Sequence, residues 1–280
     1  MNTHHIDLYE YFKVERPENA VGQLCCLDAP TSNEVGGCRR RPAVLVIPGG
    51  GYEFVSDREG IPIALRFLTR GYVPFILTYA VKPGKFPLQL REAAMAMRYI
   101  RENAAEYEVN PTMVGAIGFS AGGHLCGTLG MMYDCPEVAD IATPEMIRPD
   151  GLALCYPVTL GWGATHGGTM NNISGGDQAL RQRLSLDHQV RSDMPPVFLW
   201  HTRTDSVVPV RNSILLAEKL DEAGVDFALH IYRQGGHGLS TADEMVYPSH
   251  NLPTCSRDLL DWPERCMQFW AETGFVITDR

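Results

Sequence analysis

The chain of 280 residues has no basic stripe. Its 24 Lys and Arg are outnumbered by 33 Asp and Glu, for a net charge of -9. Phosphate backbones are bound through clustered cations, so a nucleic-acid partner is excluded. The longest arginine cluster, Arg39 to Arg41, sits beside Pro42 and reads as a solvated strand edge. Long apolar runs are missing too: nothing approaches the roughly 18 to 20 residues of a membrane span. The first residues, with His4, His5, Asp7 and Glu10, lack a basic stretch followed by an apolar one. No secretory leader is therefore expected, and the expected location is cytoplasmic.

Metal-ligand spacings are equally scarce. There is no Cys-x-x-Cys pair and no His-x-x-x-His, so a structural zinc is not expected. Eight cysteines are present (Cys25, Cys26, Cys38, Cys126, Cys135, Cys155, Cys255 and Cys266). In a chain this large, several of them within apolar runs, they read as reduced and mostly buried thiols rather than a disulfide framework. No internal repeat, low-complexity tract or linker divides the sequence, and 1–280 reads as one domain.

What is present is an alternation. Short apolar runs at 43–47, 73–79, 113–119, 151–156, 197–202 and 227–232 read as buried strands. Helical patterns at 61–69, 87–105, 121–132, 211–223 and 256–272 separate most of them. In the segment from Pro87 to Ala105, Leu90, Ala93, Met97, Ile100 and Ala104 recur at steps of three and four, one buried stripe. Strands alternating with helices imply an α/β fold, a mostly parallel sheet flanked by helices on both faces. The Gly-rich, polar stretch at about 161–193 shows no period and reads as an irregular segment on the substrate side.

Gly118-Phe119-Ser120-Ala121-Gly122 matches G-x-S-x-G. With 27 glycines and 11 serines, chance supplies that pattern about one time in ten in such a chain. Context makes it specific: an apolar strand runs into Ser120 and a helix begins straight after it, the turn that pushes a serine nucleophile into view. Such a serine needs N–H donors for the oxyanion of its tetrahedral intermediate. One is the N–H of the next residue, Ala121. The loop Pro48-Gly49-Gly50-Gly51-Tyr52, directly after the 43–47 strand, is placed to supply the others. A phosphate loop is excluded there, because Tyr52, Glu53 and Phe54 follow where Gly-Lys-Ser/Thr would be needed.

An acid and then a histidine should follow the serine. Asp205 lies just past the strand ending at Thr202, at the C-terminal strand end where a triad acid sits. Asp187 and Asp193 fall in the irregular segment, Asp221 on a helix and Asp226 at a strand start. His237, in Gly235-Gly236-His237-Gly238, follows a strand on a loop suited to bring an imidazole over the serine. His230 lies inside that strand and His250 in a polar loop; His124 is expected to pack below the turn. His237 would remove the Ser120 proton and Asp205 would fix its tautomer. Tyr52 and Trp162 are, by position, candidates to line the substrate pocket.

Pro-Gly-Gly-Gly-Tyr at 48–52, Ser-Asp-Arg-Glu-Gly at 56–60 and Gly-Phe-Ser-Ala-Gly-Gly-His at 118–124 resemble one α/β-hydrolase group. So do Thr-Asp-Ser-Val-Val-Pro-Val at 204–210 and Gly-Gly-His-Gly-Leu at 235–239. The group is the small carbohydrate-deacetylating esterases, close to acetyl-xylan esterases and to the lipase/esterase family related to hormone-sensitive lipase. The resemblance implies Ser120, Asp205 and His237 as triad, and Gly50, Gly51 and Ala121 as oxyanion donors. It implies hydrolysis of short acyl esters, typically acetyl groups on xylo-oligosaccharides, with no metal or organic cofactor. The partner would be an acetylated sugar, with no nucleic acid or membrane, and a homodimer is compatible with it. Relatives of hormone-sensitive lipase carry histidine where this chain has Pro48, and add an N-terminal helical cap for which this N-terminus is short. Peptidase or amidase activity, or a general short-chain carboxylesterase, is the alternative on the same triad. A non-catalytic binding protein would normally lack a triad member, and all three are present.

Overall fold

The computed structural model describes residues 1–32, 34 and 39–279. Eight strands form one sheet in the order β1-β2-β4-β3-β5-β6-β7-β8. They are β1 (Asn2–Asp7), β2 (Gln23–Asp28), β3 (Arg39–Ile47), β4 (Val73–Thr78), β5 (Val109–Phe119), β6 (Gly151–Cys155), β7 (Val197–Thr202) and β8 (Phe227–Tyr232). All neighbours from β4 to β8 are parallel; β2 is antiparallel to β1 and to β4. A short β9 (Thr278–Asp279) pairs with the start of β3. The expected mostly parallel α/β architecture is what the chain adopts.

The period of two along β3 shows why both faces need cover. Ala43, Leu45 and Ile47 enter one buried cluster, while Val44 and Val46 enter the other. On the first face pack α3 (Leu88–Glu102), α4 (Ala121–Met131) and α8 (Arg211–Glu222), through Leu90, Met97, Leu125, Leu216 and others. On the second pack α2 (Ile61–Leu68) and α9 (Trp262–Glu272), through Ile63, Phe67, Trp262 and Trp270. The helix expected at 256–272 splits: 257–261 is a tight 3-10 turn and α9 begins at Trp262. Pro263, with no N–H to offer, fits only the first turn of a helix and sets that start. Among the described residues no helix is long and apolar enough to cross a membrane. Seven cysteines are free thiols; Cys38 lies outside the described residues.

Two expectations are corrected. Arg41 is no solvated edge: it is 5% exposed, with Nη2 donating to Asp28 Oδ1 (3.2 Å) and the Tyr107 carbonyl (3.0 Å). The stretch at 161–193 is not wholly irregular, for it holds α6 (Gly167–Ser174) and α7 (Gln178–Arg183). Two leading glycines disguise α6, whose stability comes instead from a His166 cap and from Met170 and Ile173, buried three residues apart.

Chain order places the site. After β3 the chain runs through α2 to β4 on one side, then returns through α3 to β5 on the other. The loops leaving β3 and β5 therefore diverge side by side at the C-terminal edge, the switch point where open parallel sheets form a crevice.

Near this edge Glu92 of α3 ties the N-terminal segment to the sheet. Its carboxyl accepts the N–H groups of Val21 and Ala80, each at 2.6 Å, and the Tyr9 hydroxyl at 3.3 Å. Burial outweighs these donors and pushes it up to about 7. A carboxyl whose folded value is raised stabilises the fold most below its unfolded value, and that contribution is lost as pH rises through 7. Glu92→Gln, neutral throughout, should thus cost more at pH 5 than at pH 8, read as the shift in urea midpoint. An equal cost at both would show that the carboxyl does not titrate there.

Candidate active site

Ser120 joins β5 to α4 with φ +54° and ψ -117°, a region costly for any residue with a Cβ. The surroundings hold it there. Its N–H donates to the Cys155 carbonyl (3.0 Å), and its own carbonyl accepts from His124 and Val158 (3.1 Å each). The flanking glycines are required by space. A Cβ on Gly118 would lie 2.1 Å from the Gly122 carbonyl oxygen, and one on Gly122 2.2 Å from that of Ile47.

Three side chains from distant parts of the chain then line up. His237 Nε2 is 2.8 Å from Ser120 Oγ, and His237 Nδ1 is 2.7 Å from Asp205 Oδ2. A carboxylate can only accept, so the ring proton sits on Nδ1 and Nε2 faces the serine hydroxyl as acceptor. Asp205 is fully enclosed. Burial opposes its charge, but hydrogen bonds from His201 and His237, with the Val208 N–H, hold its carboxyl well below the usual carboxylate range. Its Oδ1 takes the N–H groups of Val207 and Val208 (2.9 Å each), and His201 Nε2 stands 3.4 Å from Oδ2. Such an arrangement can draw a proton from Ser120 and stabilise the resulting imidazolium.

The glycine loop faces this serine. Gly50 and Gly51 have φ of +120° and +66° and line the same cleft as Ser120 and His237, a space of about 220 Å³. Among the described residues, the N–H groups of Gly50, Gly51 and Ala121 have no protein acceptor, as donors reserved for an oxyanion require. Asn172 of α6 fixes the loop by donating to the Gly51 carbonyl (2.9 Å).

Both expected pocket-lining residues are corrected. Tyr52 is 0% exposed: its hydroxyl donates to His124 Nδ1 (2.8 Å), and His124 Nε2–H donates to the Leu184 carbonyl (2.8 Å). Burial lowers His124 to about 4, so it stays neutral and braces the loop from below. Trp162 is 44% exposed, donates to Asp187 (3.3 Å) and is not part of the cleft wall. The apolar wall is made instead by Phe54 and Val207.

Sequence reasoning missed Glu59, although it sits in the Ser-Asp-Arg-Glu-Gly stretch already singled out. Glu59 is 2% exposed; its Oε2 accepts the Gly49 N–H (2.7 Å) and its Oε1 the Tyr156 hydroxyl (2.7 Å). Tyr156 in turn accepts the Ser240 N–H (3.0 Å) and sets its ring edge-on to His237, 5.2 Å between centroids. One carboxylate thus ties the glycine loop to the histidine loop. Glu59→Ala leaves two buried donors unpaired, a cost of about 1–3 kcal/mol each, and should lower kcat roughly a hundredfold by loosening the oxyanion donors. An unchanged kcat in the folded variant would deny Glu59 that positioning role.

Among the described residues no cluster of three or more His, Cys, Asp or Glu is placed to hold a metal ion. The chain is similar to several known proteins. The prolyl oligopeptidase family model matches residues 91–269, and the BD-FAE model residues 33–144. The chain is 39% identical over 222 residues to endo-1,4-beta-xylanase B of Butyrivibrio fibrisolvens, covering 74% of this chain and 34% of that protein. It is 29% identical over 228 residues to the acetylxylan esterase of Xylanibacter ruminicola, covering 79% and 45%. The chain therefore spans about a third to a half of the length of these curated relatives. A solved acetyl ester-xyloside bifunctional hydrolase from Caldicellulosiruptor lactoaceticus matches at 34% identity and TM-score 0.78, over 91% of this chain and 89% of that one.

Proposed function

Because this chain belongs to the prolyl oligopeptidase family of α/β-hydrolases, we propose that it is a serine esterase removing acetyl groups from xylo-oligosaccharides. The observation that carries the esterase reading is the unbroken line Asp205–His237–Ser120, at 2.7 and 2.8 Å, beside three unpaired N–H groups. Support for an acetylated sugar comes from the relatives, whose names speak of acetylxylan and acetyl ester-xyloside.

In this reading Ser120 Oγ attacks the acyl carbon while His237 Nε2 takes its proton. The N–H groups of Gly50, Gly51 and Ala121 receive the charge that develops on the carbonyl oxygen. Collapse breaks the C–O bond to the sugar, which leaves with the proton from His237. Water, deprotonated by the same nitrogen, then releases acetate. Residues Phe54 and Val207, exposed at the cleft wall, offer apolar contact to a sugar face.

The family name also favours amide substrates, since one triad serves both bonds. Acetylated xylobiose, p-nitrophenyl acetate and short prolyl peptides assayed side by side separate them. Turnover of the two acetyl esters is expected; peptide cleavage without ester turnover would overturn the reading.

A further inference from the structure

Part of the cleft wall comes from α6 and the residue before it, a region without a legible sequence pattern. His166 is the N-cap of α6, half-buried, and lines the same cleft as Ser120. Its Nδ1 lies 3.3 Å from the Thr169 N–H and 2.8 Å from Thr169 Oγ1. A backbone N–H can only donate, so Nδ1 is an acceptor and carries no proton. The ring proton is therefore on Nε2. Among the described residues, Nε2 has no protein partner. The Cε1 side of the ring faces Gly51, where an added Cβ would come within 3.9 Å.

Several other polar groups of the cleft are engaged. Asn172 holds the Gly51 carbonyl, Glu53 pairs with Lys82, and Glu59 accepts two donors. His166 thus presents an Nε2–H donor of fixed tautomer in the cleft that holds Ser120, kept in place by the cap that orients it. Such a donor matches the hydroxyl and ring oxygens of a sugar, which a simple aryl leaving group does not carry. We infer that His166 is a specificity residue whose Nε2–H donates to an oxygen of the sugar that leaves, selecting sugar esters over simple esters. This rests on the sugar-ester reading above.

Two substitutions divide the ring between its nitrogens. His166→Asn keeps an acceptor at the cap and withdraws the donor from the Nε2 position, because its amide NH2 sits nearer the backbone; His166→Gln keeps an amide donor near the Nε2 position and weakens the cap. The readout is kcat/KM for acetylated xylobiose divided by that for p-nitrophenyl acetate. His166→Asn should lower the ratio about tenfold, the worth of one neutral hydrogen bond. His166→Gln should keep most of the ratio while its melting temperature falls. If both substrates decline in step in His166→Asn, or the ratio stays at the wild-type value, His166 only caps α6 and the inference is overturned alone. If wild-type protein cleaves p-nitrophenyl acetate and leaves acetylated xylobiose intact, the sugar-ester reading falls and the inference with it.

Discussion

Ser120→Ala is expected to lower kcat toward p-nitrophenyl acetate by about a millionfold, leaving only the weak acceleration that binding and the oxyanion donors give unaided. The reason is chemical, since among the described residues Ser120 Oγ is the hydroxyl that meets His237 Nε2. Stability should shift by less than about 1 kcal/mol. Alanine keeps the Cβ, so the strain at φ +54° is the same in both proteins, and the Ser120 backbone bonds to Cys155, His124 and Val158 do not involve the hydroxyl. Circular dichroism with a single-turnover assay reads both quantities. A folded variant retaining a few per cent of activity would place the nucleophile elsewhere.

Asp205→Asn should cost about ten-thousandfold in kcat. The carboxylate faces donors on every side: Val207 and Val208 N–H on Oδ1, and His237 Nδ1–H with His201 Nε2 on Oδ2. His201 Nε2 must carry a proton, because it also faces the Val208 carbonyl at 2.9 Å. An amide in that socket turns its NH2 towards donors in either orientation. Turned toward His237, it drives the ring proton to Nε2, where the nitrogen can no longer accept from Ser120. Turned the other way, it confronts Val207 and Val208 and opens the loop. Activity falls on either path, and a variant within tenfold of wild type would mean that Asp205 does not set the tautomer.

The strands around the nucleophile were legible because their central residues are buried on both faces, so β3 and β6 read as short apolar runs closed by Pro48 and Pro157, and the second half of β5 as one that runs into Ser120. The strands β1 and β2 were not, since β1 is an edge strand of mostly polar residues that pairs with β2 alone in the sheet. The triad was legible for a local reason: Ser120, Asp205 and His237 each follow a strand directly, and parallel strands all end at the same edge. Glu59 and Asn172 act across 10 and 121 residues on partners that no local spacing reveals. Tyr52 misled for the opposite reason. Its place beside the glycines suggested the pocket, but φ +55° turns the chain and its ring goes under the loop to His124. Adjacency in sequence says nothing about which side of a turn a ring takes.

The most direct test of the nucleophile is labelling with a fluorophosphonate, which phosphonylates an activated serine. Intact mass is expected to rise by one adduct, mapped by peptide sequencing to Ser120, with no adduct on Ser120→Ala or on heat-denatured protein. An adduct on another serine, or one that persists in Ser120→Ala, would contradict the account.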